Sequence, residues 1–437
     1  MNNNSYILLC IIFLLLGCRD KDENTLFVFK DFSETGLDFQ NNLSENVDFN
    51  LFNYYNYYNG AGVAIGDINN DGLSDIYFTS NLENNKLFLN KGNLQFEDIS
   101  NKAKVTGTSK WTTGVTMVDI NSDGLLDIYV CSLGDFASGK GRNELFLNNG
   151  NLTFTESAAD YGLDVKSNAT QASFFDYDND GDLDMYLLNH SMTTINSYAS
   201  REKISKLTDQ KVGDRLFRNE SEKGIKKFID VTAAAGILNT PIGFGLGVWC
   251  SDINQDGFID IYVSNDFHEN DYLYINQKDG TFVESLAQWV GHTSKYSMGN
   301  DIADFNNDGL LDIVTMDMLP NEPEILQKSM GEDPFELREI ILKNGYHPQL
   351  SRNNLQLNID GKFSEIAPLA GIHATDWSWA PLIVDLDNDG LKDIFISNGI
   401  FRRPNDLDYL NYAANGVIKS VIDIKAKSIV EKLIKSI

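Results

Sequence analysis

Six copies of one short pattern place oxygen-bearing side chains at regular spacing along the chain. Each copy has Asp at positions 1, 5 and 9, Asp or Asn at position 3, and Gly at position 6. The copies begin at Asp67, Asp119, Asp176, Asp252, Asp304 and Asp385. Side-chain oxygens at these positions, with a backbone carbonyl at position 7, can enclose a Ca²⁺ ion, and Gly permits the sharp turn. The pattern therefore predicts about six calcium-binding loops.

The EF-hand opens with the same spacing, but its loop ends in a bidentate Glu at position 12 and is flanked by helices. Here position 12 is never acidic: Phe78, Val130, Leu187, Val263, Thr315 and Ile396. The flanking residues are β-branched or aromatic, as in Gly-Val-Ala-Ile-Gly before the first loop and Asp-Ile-Tyr-Phe at its end. Because such residues favour strands, each loop is predicted to be the turn of a β-hairpin.

A longer repeat surrounds each loop. An Asn-x-Leu-Phe-Leu-Asn segment follows the second strand, as at 85–90 and 143–148, and a short segment with Phe comes next. A four-stranded unit of this size cannot bury its own face, so neighbouring units must stack. The predicted fold is all-β, a propeller of four-stranded blades. Two wide spacings hold insertions at 191–213 and 319–352, the second partly helical at 333–343, which are either binding loops or surface loops without a role.

Residues 59–78, Asn-Gly-Ala-Gly-Val-Ala-Ile-Gly-Asp-Ile-Asn-Asn-Asp-Gly-Leu-Ser-Asp-Ile-Tyr-Phe, carry a family resemblance. They resemble the FG-GAP/VCBS repeats of integrin α-chain propellers. They are most similar to those of bacterial relatives of cartilage acidic protein, a group associated with the ASPIC/UnbV domain. The resemblance covers residues 27 to about 412. It implies an extracellular or surface-exposed propeller, and integrin propellers bind protein partners.

By the same resemblance, five calcium ligands are expected in each loop, at positions 1, 3, 5, 7 (through the carbonyl) and 9. They are Asp67, Asn69, Asp71, Leu73 and Asp75; Asp119, Asn121, Asp123, Leu125 and Asp127; Asp176, Asp178, Asp180, Asp182 and Asp184; Asp252, Asn254, Asp256, Phe258 and Asp260; Asp304, Asn306, Asp308, Leu310 and Asp312; and Asp385, Asp387, Asp389, Leu391 and Asp393.

The sixth unit departs from this family after its second strand. Residues 380–385 and 393–397 are predicted to be its first two strands, but no Asn-x-Leu-Phe segment follows. Residues 406–437 instead predict a Lys-rich helical tail, and no segment of the chain resembles ASPIC/UnbV. Residues 27–39 resemble the end of a blade, like 96–100, and are expected to complete a last blade begun near the C-terminal end. Six or seven blades, closed or incomplete, are compatible with this pattern.

The N-terminal segment is predicted to direct export. Residues 6–16 form an apolar run too short to span a bilayer, and it ends in Leu-Leu-Gly-Cys, which resembles the lipobox of bacterial lipoproteins. The predicted divisions are a lipoprotein signal peptide at 1–17, a tether at 18–26 beginning with lipid-modified Cys18, the propeller at 27–405 and the tail at 406–437. An ordinary signal peptide cut elsewhere is the alternative. The charged residues after Cys18 indicate an outer-membrane lipoprotein facing the cell exterior.

The chain is strongly acidic, with 35 Lys and Arg, 63 Asp and Glu, and a net charge of −28. Twenty of the carboxylates occupy ligand positions in the loops, so six Ca²⁺ ions would leave a net charge of about −16. The acidity is therefore largely that of metal ligands. It argues against a nucleic-acid partner and against adsorption to anionic lipid, because both need a basic surface. The lipid on Cys18 is the expected membrane contact.

No catalytic motif accompanies the loops, so the chain is not predicted to be an enzyme. None of the five His has zinc-site spacing, and no Gly-x-Ser-x-Gly occurs. His190 and His268 follow second strands, where the loops of one propeller face converge, and are either ligand-facing or ordinary loop residues. Cys131 and Cys250 are expected to be buried apolar residues, with a disulfide as the alternative.

Aromatic residues are the other candidates for ligand contact, because their rings stack on sugars and anchor protein interfaces. They are the cluster Tyr54, Tyr55, Tyr57 and Tyr58, and the tryptophans before loops, Trp111, Trp249, Trp377 and Trp379. Core packing is the favoured interpretation for the tryptophans. The predicted function is a calcium-binding adhesion module for an extracellular glycan or protein ligand. A lyase-like polysaccharide enzyme and a shortened remnant of a longer protein are the alternatives.

Overall fold

The computed structural model describes residues 25–134, 141–192, 200–221, 227–329 and 332–412, which form an all-β propeller. The predicted signal peptide, Cys18 and most of the predicted tail lie outside these residues. Five antiparallel sheets of four strands follow one another along the described chain, and a sixth antiparallel sheet has two strands. Within the described ranges, no helix has the length and apolar character needed to cross a membrane.

The sheets are called blades and are numbered along the chain. Blade 1 contains β1 (Val63–Gly66), β2 (Asp75–Phe78), β3 (Lys86–Asn90) and β4 (Phe96–Asp98). Blade 2 contains β5 (Thr112–Val118), β6 (Asp127–Ser132), β7 (Glu144–Asn148) and β8 (Phe154–Glu156). Blade 3 contains β9 (Ala169–Phe175), β10 (Asp184–Asn189), β11 (Arg215–Asn219) and β12 (Phe228–Asp230). Blade 4 contains β13 (Gly245–Ser251), β14 (Asp260–Asn265), β15 (Tyr272–Asn276) and β16 (Phe282–Glu284).

A short strand, β17 (Thr293–Ser294), precedes blade 5 and pairs in parallel with β20 (Gln349–Leu350). Blade 5 contains β18 (Asn300–Ala303), β19 (Asp312–Thr315), β21 (Asn354–Ile359) and β22 (Lys362–Glu365). Blade 6 contains β23 (Ser378–Val384) and β24 (Asp393–Asn398). The hairpins predicted around all six loops are thus confirmed, and so are the fourth strands that carry Phe in blades 1 to 5.

Short helices occupy the connections. In chain order they are α1 (Phe32–Thr35), a 3₁₀ turn (Tyr55–Tyr58), α2 (Ser100–Ala103), α3 (Ala158–Tyr161), α4 (Arg201–Ile204), α5 (Leu286–Trp289), α6 (Pro323–Lys328), α7 (Phe335–Lys343), α8 (Ala367–Ala370) and α9 (Leu407–Tyr412). Helices α2, α3, α5 and α8 each follow the fourth strand of a blade. Helix α7 matches the helical segment predicted in the second insertion, and α9 lies at the start of the predicted tail.

The core lies between neighbouring blades, where apolar side chains from facing sheets pack together. Strands β6, β10 and β14 are buried along their whole length. Each carries a fully buried Tyr, whose hydroxyl needs a partner away from water. In blade 1 the Tyr77 hydroxyl donates to the Val105 carbonyl at 2.6 Å, and in blade 2 the Tyr129 hydroxyl donates to the Leu163 carbonyl at 3.1 Å. These two bonds fasten the second strands of blades 1 and 2 to the connections that lead into the next blade.

The first strands of the six blades surround one central channel of about 320 Å³. Its lining takes residues from every blade, among them Gly62, Thr113, Thr170, Gly247, Asn300 and Trp379. Backbone groups touch directly across the blades there. The Gly62 N–H donates to the Thr113 carbonyl at 2.8 Å, and the Thr113 hydroxyl donates to the Ala169 carbonyl at 2.7 Å. Close backbone approach explains why this level of the ring uses small residues.

In the described part of the chain blade 6 has two strands, as the sequence predicted. Among the described residues β24 pairs only with β23. The pairing expected of residues 27–39 is wrong, because no strand forms there and Phe32–Thr35 is a helical turn. The physical reason is that, within the described ranges, blade 6 has no third strand to which a fourth could pair. The segment nevertheless lies beside blade 6, since the rings of Phe27 and Phe395 are 6.1 Å apart.

The close approach of blades 2 and 3 makes Gly114 intolerant of a side chain. A methyl group there would overlap the Thr170 carbonyl oxygen, a backbone atom that cannot move alone. We expect Gly114→Ala to lower the free energy of unfolding by about 1–3 kcal/mol, as overpacking does elsewhere. Chemical denaturation measures this loss. Gly291→Ala is the matched control, because no atom lies within 4 Å of the added methyl; equal stability of both variants would contradict the ring geometry.

Candidate metal centres and ligand cavity

The six Asp-rich loops share one hydrogen-bonded geometry, which the Asp at position 1 organises. In the second loop, Asp119 Oδ1 accepts the backbone N–H of Asp123 at 3.0 Å, and Oδ2 accepts that of Gly124 at 2.8 Å. The same two bonds occur in the other five loops. Asp123 in turn accepts the N–H of Leu125 at 2.9 Å. The backbone of the loop therefore orients its own carboxylates.

The Asp at position 9 connects the loop to the third strand of its blade. In blade 2, Asp127 Oδ2 accepts the Ile120 N–H at 3.3 Å, and Oδ1 accepts the N–H of Asn148, the last residue of β7, at 2.7 Å. Equivalent pairs of bonds are made in blades 1, 3, 4 and 5. Since each carboxylate oxygen has two lone pairs, both remain able to bind a cation.

These position 9 carboxylates are also the most buried of the ligand set. Asp75, Asp127, Asp184, Asp260 and Asp312 are each at most 1% exposed. Burial raises the pKa of Asp127 to about 7 and that of Asp184 to about 8, despite the lowering effect of the two backbone N–H donors. Neighbouring loop carboxylates raise the pKa further by charge repulsion. A buried charge of this kind needs a compensating cation.

The donor set fits Ca²⁺, which prefers carboxylate and carbonyl oxygens. Two loops bring three carboxylate oxygens within 4.8 Å of one another: Asp176, Asp178 and Asp184 in the third, and Asp385, Asp387 and Asp393 in the sixth. These are the loops with Asp at position 3. In the third loop, Asp178 Oδ1 and Asp182 Oδ1 are buried without a hydrogen-bond partner among the described residues. Orphaned buried acceptors facing a carboxylate cluster are what an oxygen-bound cation would satisfy.

The residue at position 4 of each loop has a structural role that the sequence interpretation missed. It has positive φ in every loop, for example 57° at Asn70. Its side chain reaches the next loop around the ring: Asn70 Nδ2 donates to the Gly124 carbonyl at 2.9 Å, and Asn179 and Asn307 make the same bond to the following loop at 3.0 Å. The available signal was the Asn at position 4 of four copies, since Asn tolerates the left-handed region better than most residues.

A cavity of about 490 Å³ opens at the end of the ring opposite the six loops. This placement follows from the hairpins, because the start of a first strand and the end of a second strand lie at the edge away from their shared turn. The wall combines residues that follow second strands, residues that precede first strands and the 3₁₀ turn. Aromatic rings supply much of it: Phe52, Tyr55, Phe267, Tyr296, Trp377, Trp379 and Tyr409.

Two buried carboxylates face this cavity. Asp266 follows β14 and accepts the Phe267 N–H at 2.8 Å, and Asp317 follows β19 and accepts the Ser294 hydroxyl at 2.6 Å. Burial raises the pKa of Asp266 to about 7 and that of Asp317 to about 6. The Lys295 ammonium also lines the cavity and lies 2.7 Å from the Asp333 carboxylate. The cavity is therefore apolar in its walls with charged groups at a few points, as ligand pockets usually are.

Several polar atoms on the wall are buried and have no hydrogen-bond partner in the described part of the chain. They are Trp377 Nε1, Asn405 Oδ1 and the Tyr409 hydroxyl. The backbone also carries strain here, because Phe267 has φ 63°, which is rare for a bulky residue. Unpaired buried donors and acceptors cost free energy, so their concentration in one cavity indicates a place for a polar ligand or water.

The structure separates the histidines and aromatic residues that the sequence grouped together. His268 lines the cavity, whereas His190 is buried beside Phe244, and burial lowers its pKa to about 4. In the tyrosine cluster only Tyr55 is exposed, at 51%, and lines the cavity, while Tyr54, Tyr57 and Tyr58 are buried.

The core interpretation of the tryptophans is right for Trp111, which is 3% exposed, and wrong for Trp249, which is 37% exposed. Both tryptophans line the central channel, but Trp111 also packs against the rings of Phe49, Tyr54 and Tyr57. Cys131 and Cys250 are both free thiols, so the disulfide alternative is excluded.

A family model described as an FG-GAP-like repeat matches residues 67–130, 135–187 and 252–315. The chain is similar to cartilage acidic protein 1 of Mus musculus (26% identity over 330 residues), Homo sapiens (25% over 326) and Xenopus tropicalis (28% over 209). These matches cover 65%, 65% and 47% of this chain, and 48%, 47% and 29% of the relatives. The chain thus spans about half or less of the length of these relatives. The predicted FG-GAP-type repeats are confirmed.

Three solved structures show distant likeness. One is an Agrocybe aegerita lectin described as recognising non-reducing terminal N-acetylglucosamine, with 16% identity, a TM-score of 0.43, and coverage of 76% of this chain and 73% of the lectin. The others are the V. cholerae biofilm matrix protein Bap1 (12%, TM-score 0.35, coverage 75% and 44%) and the exotype rhamnogalacturonan lyase YesX (11%, TM-score 0.39, coverage 79% and 54%).

The raised pKa of Asp266 predicts a specific dependence of stability on pH. Because the folded protein retains its proton up to about pH 7 while the unfolded chain loses it near pH 4, this group lowers stability as pH rises through that window. We expect Asp266→Asn to stabilise the protein relative to wild type by on the order of a few kcal/mol at pH 8, and by much less at pH 5. Thermal unfolding in excess calcium measures the difference. Asp160→Asn, on the exposed face of α3, is the control; a pH-independent effect of Asp266→Asn would contradict burial of the charge.

Proposed function

We propose that this FG-GAP-repeat propeller is an exported binding module, stiffened by calcium in its six loops, that captures an extracellular glycan or protein ligand at the opposite end of the ring. The observation that carries the proposal is the 490 Å³ cavity, where aromatic rings, buried carboxylates and unpartnered polar atoms converge. Concave sites with apolar walls and a few directed polar groups are the usual form of ligand sites.

The ligand end and the loop end belong to the same hairpins. Strands β13 and β14 carry the loop beginning at Asp252 at one end, and Asp266 and His268 follow β14 at the other. Strands β18 and β19 connect the loop beginning at Asp304 to Asp317 in the same way. A bound cation neutralises the loop carboxylates. A loop held in one conformation also fixes the register of its hairpin, and thereby the cavity wall.

The proposed location at the cell surface rests on the sequence. Cys18 would carry the lipid, and residues 18–26 would tether the ring to the outer face of the outer membrane. This placement supports calcium loading, because extracellular sites work at about 10⁻⁴ to 10⁻³ M calcium.

Ligand capture is tested with glycan and protein arrays, probed with and without calcium. We expect binding that needs calcium and that Tyr55→Ala weakens about tenfold, since Tyr55 is half exposed and lines the cavity. The matched control is Phe335→Ala, which removes an exposed aromatic ring on α7 that is not part of the cavity wall. Binding that survives calcium removal, or that both variants weaken equally, would contradict the proposal.

A second candidate function is a lyase-like enzyme on acidic polysaccharides. It is favoured by Asp266 and Asp317, two carboxylates in one cavity with pKa values of about 7 and 6, which suit proton transfer near neutral pH. Release of unsaturated products, followed by ultraviolet absorbance and abolished by Asp317→Asn, would replace the binding function by this one.

Calcium itself is tested by thermal unfolding and titration calorimetry. We expect about six bound ions per chain, and a lower midpoint after chelation, because a ligand that binds only the folded state stabilises it. Asp71→Ala should remove one site and leave the others, whereas Asp160→Ala should leave the stoichiometry unchanged. An unchanged midpoint in chelator would mean that the loops do not depend on metal.

A further inference from the structure

The described wall of the ligand cavity carries more acidic than basic groups, and much of it is aromatic. We infer that the cavity holds an organic ammonium group of the ligand, with the cation against aromatic rings and beside the carboxylates of Asp266 and Asp317. The inference rests on the proposed binding function and names the chemical class of the ligand. A ligand that presents a carboxylate there is not expected to bind, because it would meet two groups of its own charge.

Asp266 is the first of the two groups that need a cation. It is 7% exposed and lines the cavity. Its Oδ1 accepts the Phe267 N–H at 2.8 Å, whereas no hydrogen bond or ion pair within the described ranges reaches Oδ2. A carboxylate that is removed from water without a partner is costly. An ammonium group in the cavity would supply the missing partner.

Asp317 brings a second carboxylate to the same cavity. It is 1% exposed, and it accepts the Ser294 hydroxyl at 2.6 Å and the Tyr296 N–H at 3.1 Å. These donors are neutral, and Asp317 forms no ion pair with a basic side chain in the part of the chain that the structure describes. The charge of Asp317 is near enough to raise the pKa of Asp266 further by repulsion. The two carboxylates therefore concentrate negative charge in one place.

The other charged groups nearby do not balance this pair. Among the described residues of the wall, Lys295 and His268 are the basic ones, and the Lys295 ammonium lies 2.7 Å from the Asp333 carboxylate. Burial lowers the pKa of His268, and the Lys295 charge lowers it further, so His268 is neutral near pH 7. Glu332 adds a negative charge that acts on Asp317. The described wall is therefore short of positive charge.

The aromatic rings on this wall are arranged to receive a cation. Phe267 lies between Tyr55 and Tyr296, with ring centroids 6.5 and 6.2 Å away and interplanar angles of 69° and 83°. Rings at such angles form a corner, which is called the aromatic corner below. Ring faces attract cations because their π-systems are negative. The Lys295 ammonium already lies 5.1 Å from the centroid of the Tyr296 ring, so the corner holds one cation of the protein itself.

Backbone strain and an unpartnered donor mark the same wall. Phe267 is held in the aromatic corner with φ 63°, and strain of this kind is concentrated at ligand sites. Trp377 and Trp379 add two more rings, 6.4 Å apart and inclined by 34°. Trp377 is 7% exposed, and its Nε1 has no hydrogen-bond partner among the described residues. The ligand is therefore expected to carry an acceptor oxygen besides the ammonium group.

A metal ion fits this cavity less well than an organic cation does. The groups of three or more acidic, His or Cys side chains that could hold a metal lie, within the described residues, in the Asp-rich loops. Ca²⁺ takes roughly six to eight oxygen ligands, whereas the cavity offers two carboxylates among rings. Its volume of about 490 Å³ falls in the range of small-molecule sites, about 300–1,000 Å³. Size and lining thus favour an organic cation.

Ammonium binding should strengthen as pH rises. The folded protein keeps the proton of Asp266 up to about pH 7 and that of Asp317 up to about pH 6. Because a cation favours the charged carboxylates, its affinity should rise through this window. The other titratable or charged groups around the pair are His268, Lys295, Tyr296, Glu332 and Asp333. Burial raises the pKa of Tyr296, which stays neutral, and protonation of His268 in acid would weaken cation binding in the same direction.

The test uses the calcium-loaded protein and two probes of matched shape, choline and neohexyl alcohol, in which carbon replaces the choline nitrogen. We expect titration calorimetry at pH 8 to show choline binding about tenfold or more tighter than neohexyl alcohol, because only the charge differs. Choline binding should weaken about tenfold or more at pH 5. Ethanolamine, which has the same hydroxyethyl group on a primary ammonium, shows by its relative affinity whether the site prefers an alkylated or a primary ammonium group.

Asp266→Asn tests the role of the carboxylate, since it keeps the size of the side chain and removes its charge. We expect choline binding at pH 8 to weaken about tenfold, most of its pH dependence to disappear, and neohexyl alcohol binding to remain unchanged. Asp160→Asn is the matched control, because Asp160 is exposed and does not line the cavity. The comparison of the two probes in the wild-type protein does not depend on the folding of either variant.

Equal affinity for choline and neohexyl alcohol, or no saturable choline binding, would overturn the inference. An array ligand that binds in the cavity without an ammonium group would overturn it and leave the proposed function intact. Arrays without any ligand, for a protein that discriminates choline, would contradict the proposed function alone. Choline binding that appears only after the lysines of residues 413–437 are changed to Gln would also overturn the inference, by assigning the aromatic corner to this chain's own ammonium groups. They are Lys419, Lys425, Lys427, Lys432 and Lys435.

Discussion

The structure depends on one buried carboxylate in each complete blade, the Asp at position 9 of the loop. It begins the second strand, accepts one N–H from the loop and one from the end of the third strand, and so joins the loop and two strands at a single point. Burial alone disfavours its charge and raises its pKa. A cation bound by the same oxygens reverses that balance, because it makes the charged form the favourable one. Folding of the blade and binding of such a cation would then be parts of one equilibrium.

This arrangement explains how six separate loops can act on the shape of one ring. Position 4 side chains such as Asn179 and Asn307 bond to the glycine carbonyl of the next loop, so neighbouring loops are in direct contact. At the other end of the same hairpins lie Asp266, Asp317 and the aromatic wall of the cavity. The ring therefore has one end that is suited to cations and one that is suited to a larger ligand, with the strands as rigid connections between them.

The periodic features of the fold were predictable from the sequence. The six loops and the strands that flank them follow from a pattern that is local in the sequence. Position 4 was missed because its role is a contact with another loop, which no local pattern records. Trp249 was misassigned because it lies within the first strand β13, whereas Trp111 directly precedes β5 and packs against the rings of Phe49 and Tyr54. The cavity was out of reach, since its wall joins residues more than 300 positions apart, from Tyr55 to Tyr409.

The most direct test of this account is the location of bound metal in a crystal grown in millimolar calcium, by anomalous scattering. The account predicts anomalous peaks inside the loops that begin at Asp67, Asp119, Asp176, Asp252, Asp304 and Asp385, each within bonding distance of its position 9 carboxylate. Loops of unchanged conformation without anomalous density would contradict it, because the buried carboxylates would then be accommodated without the ion.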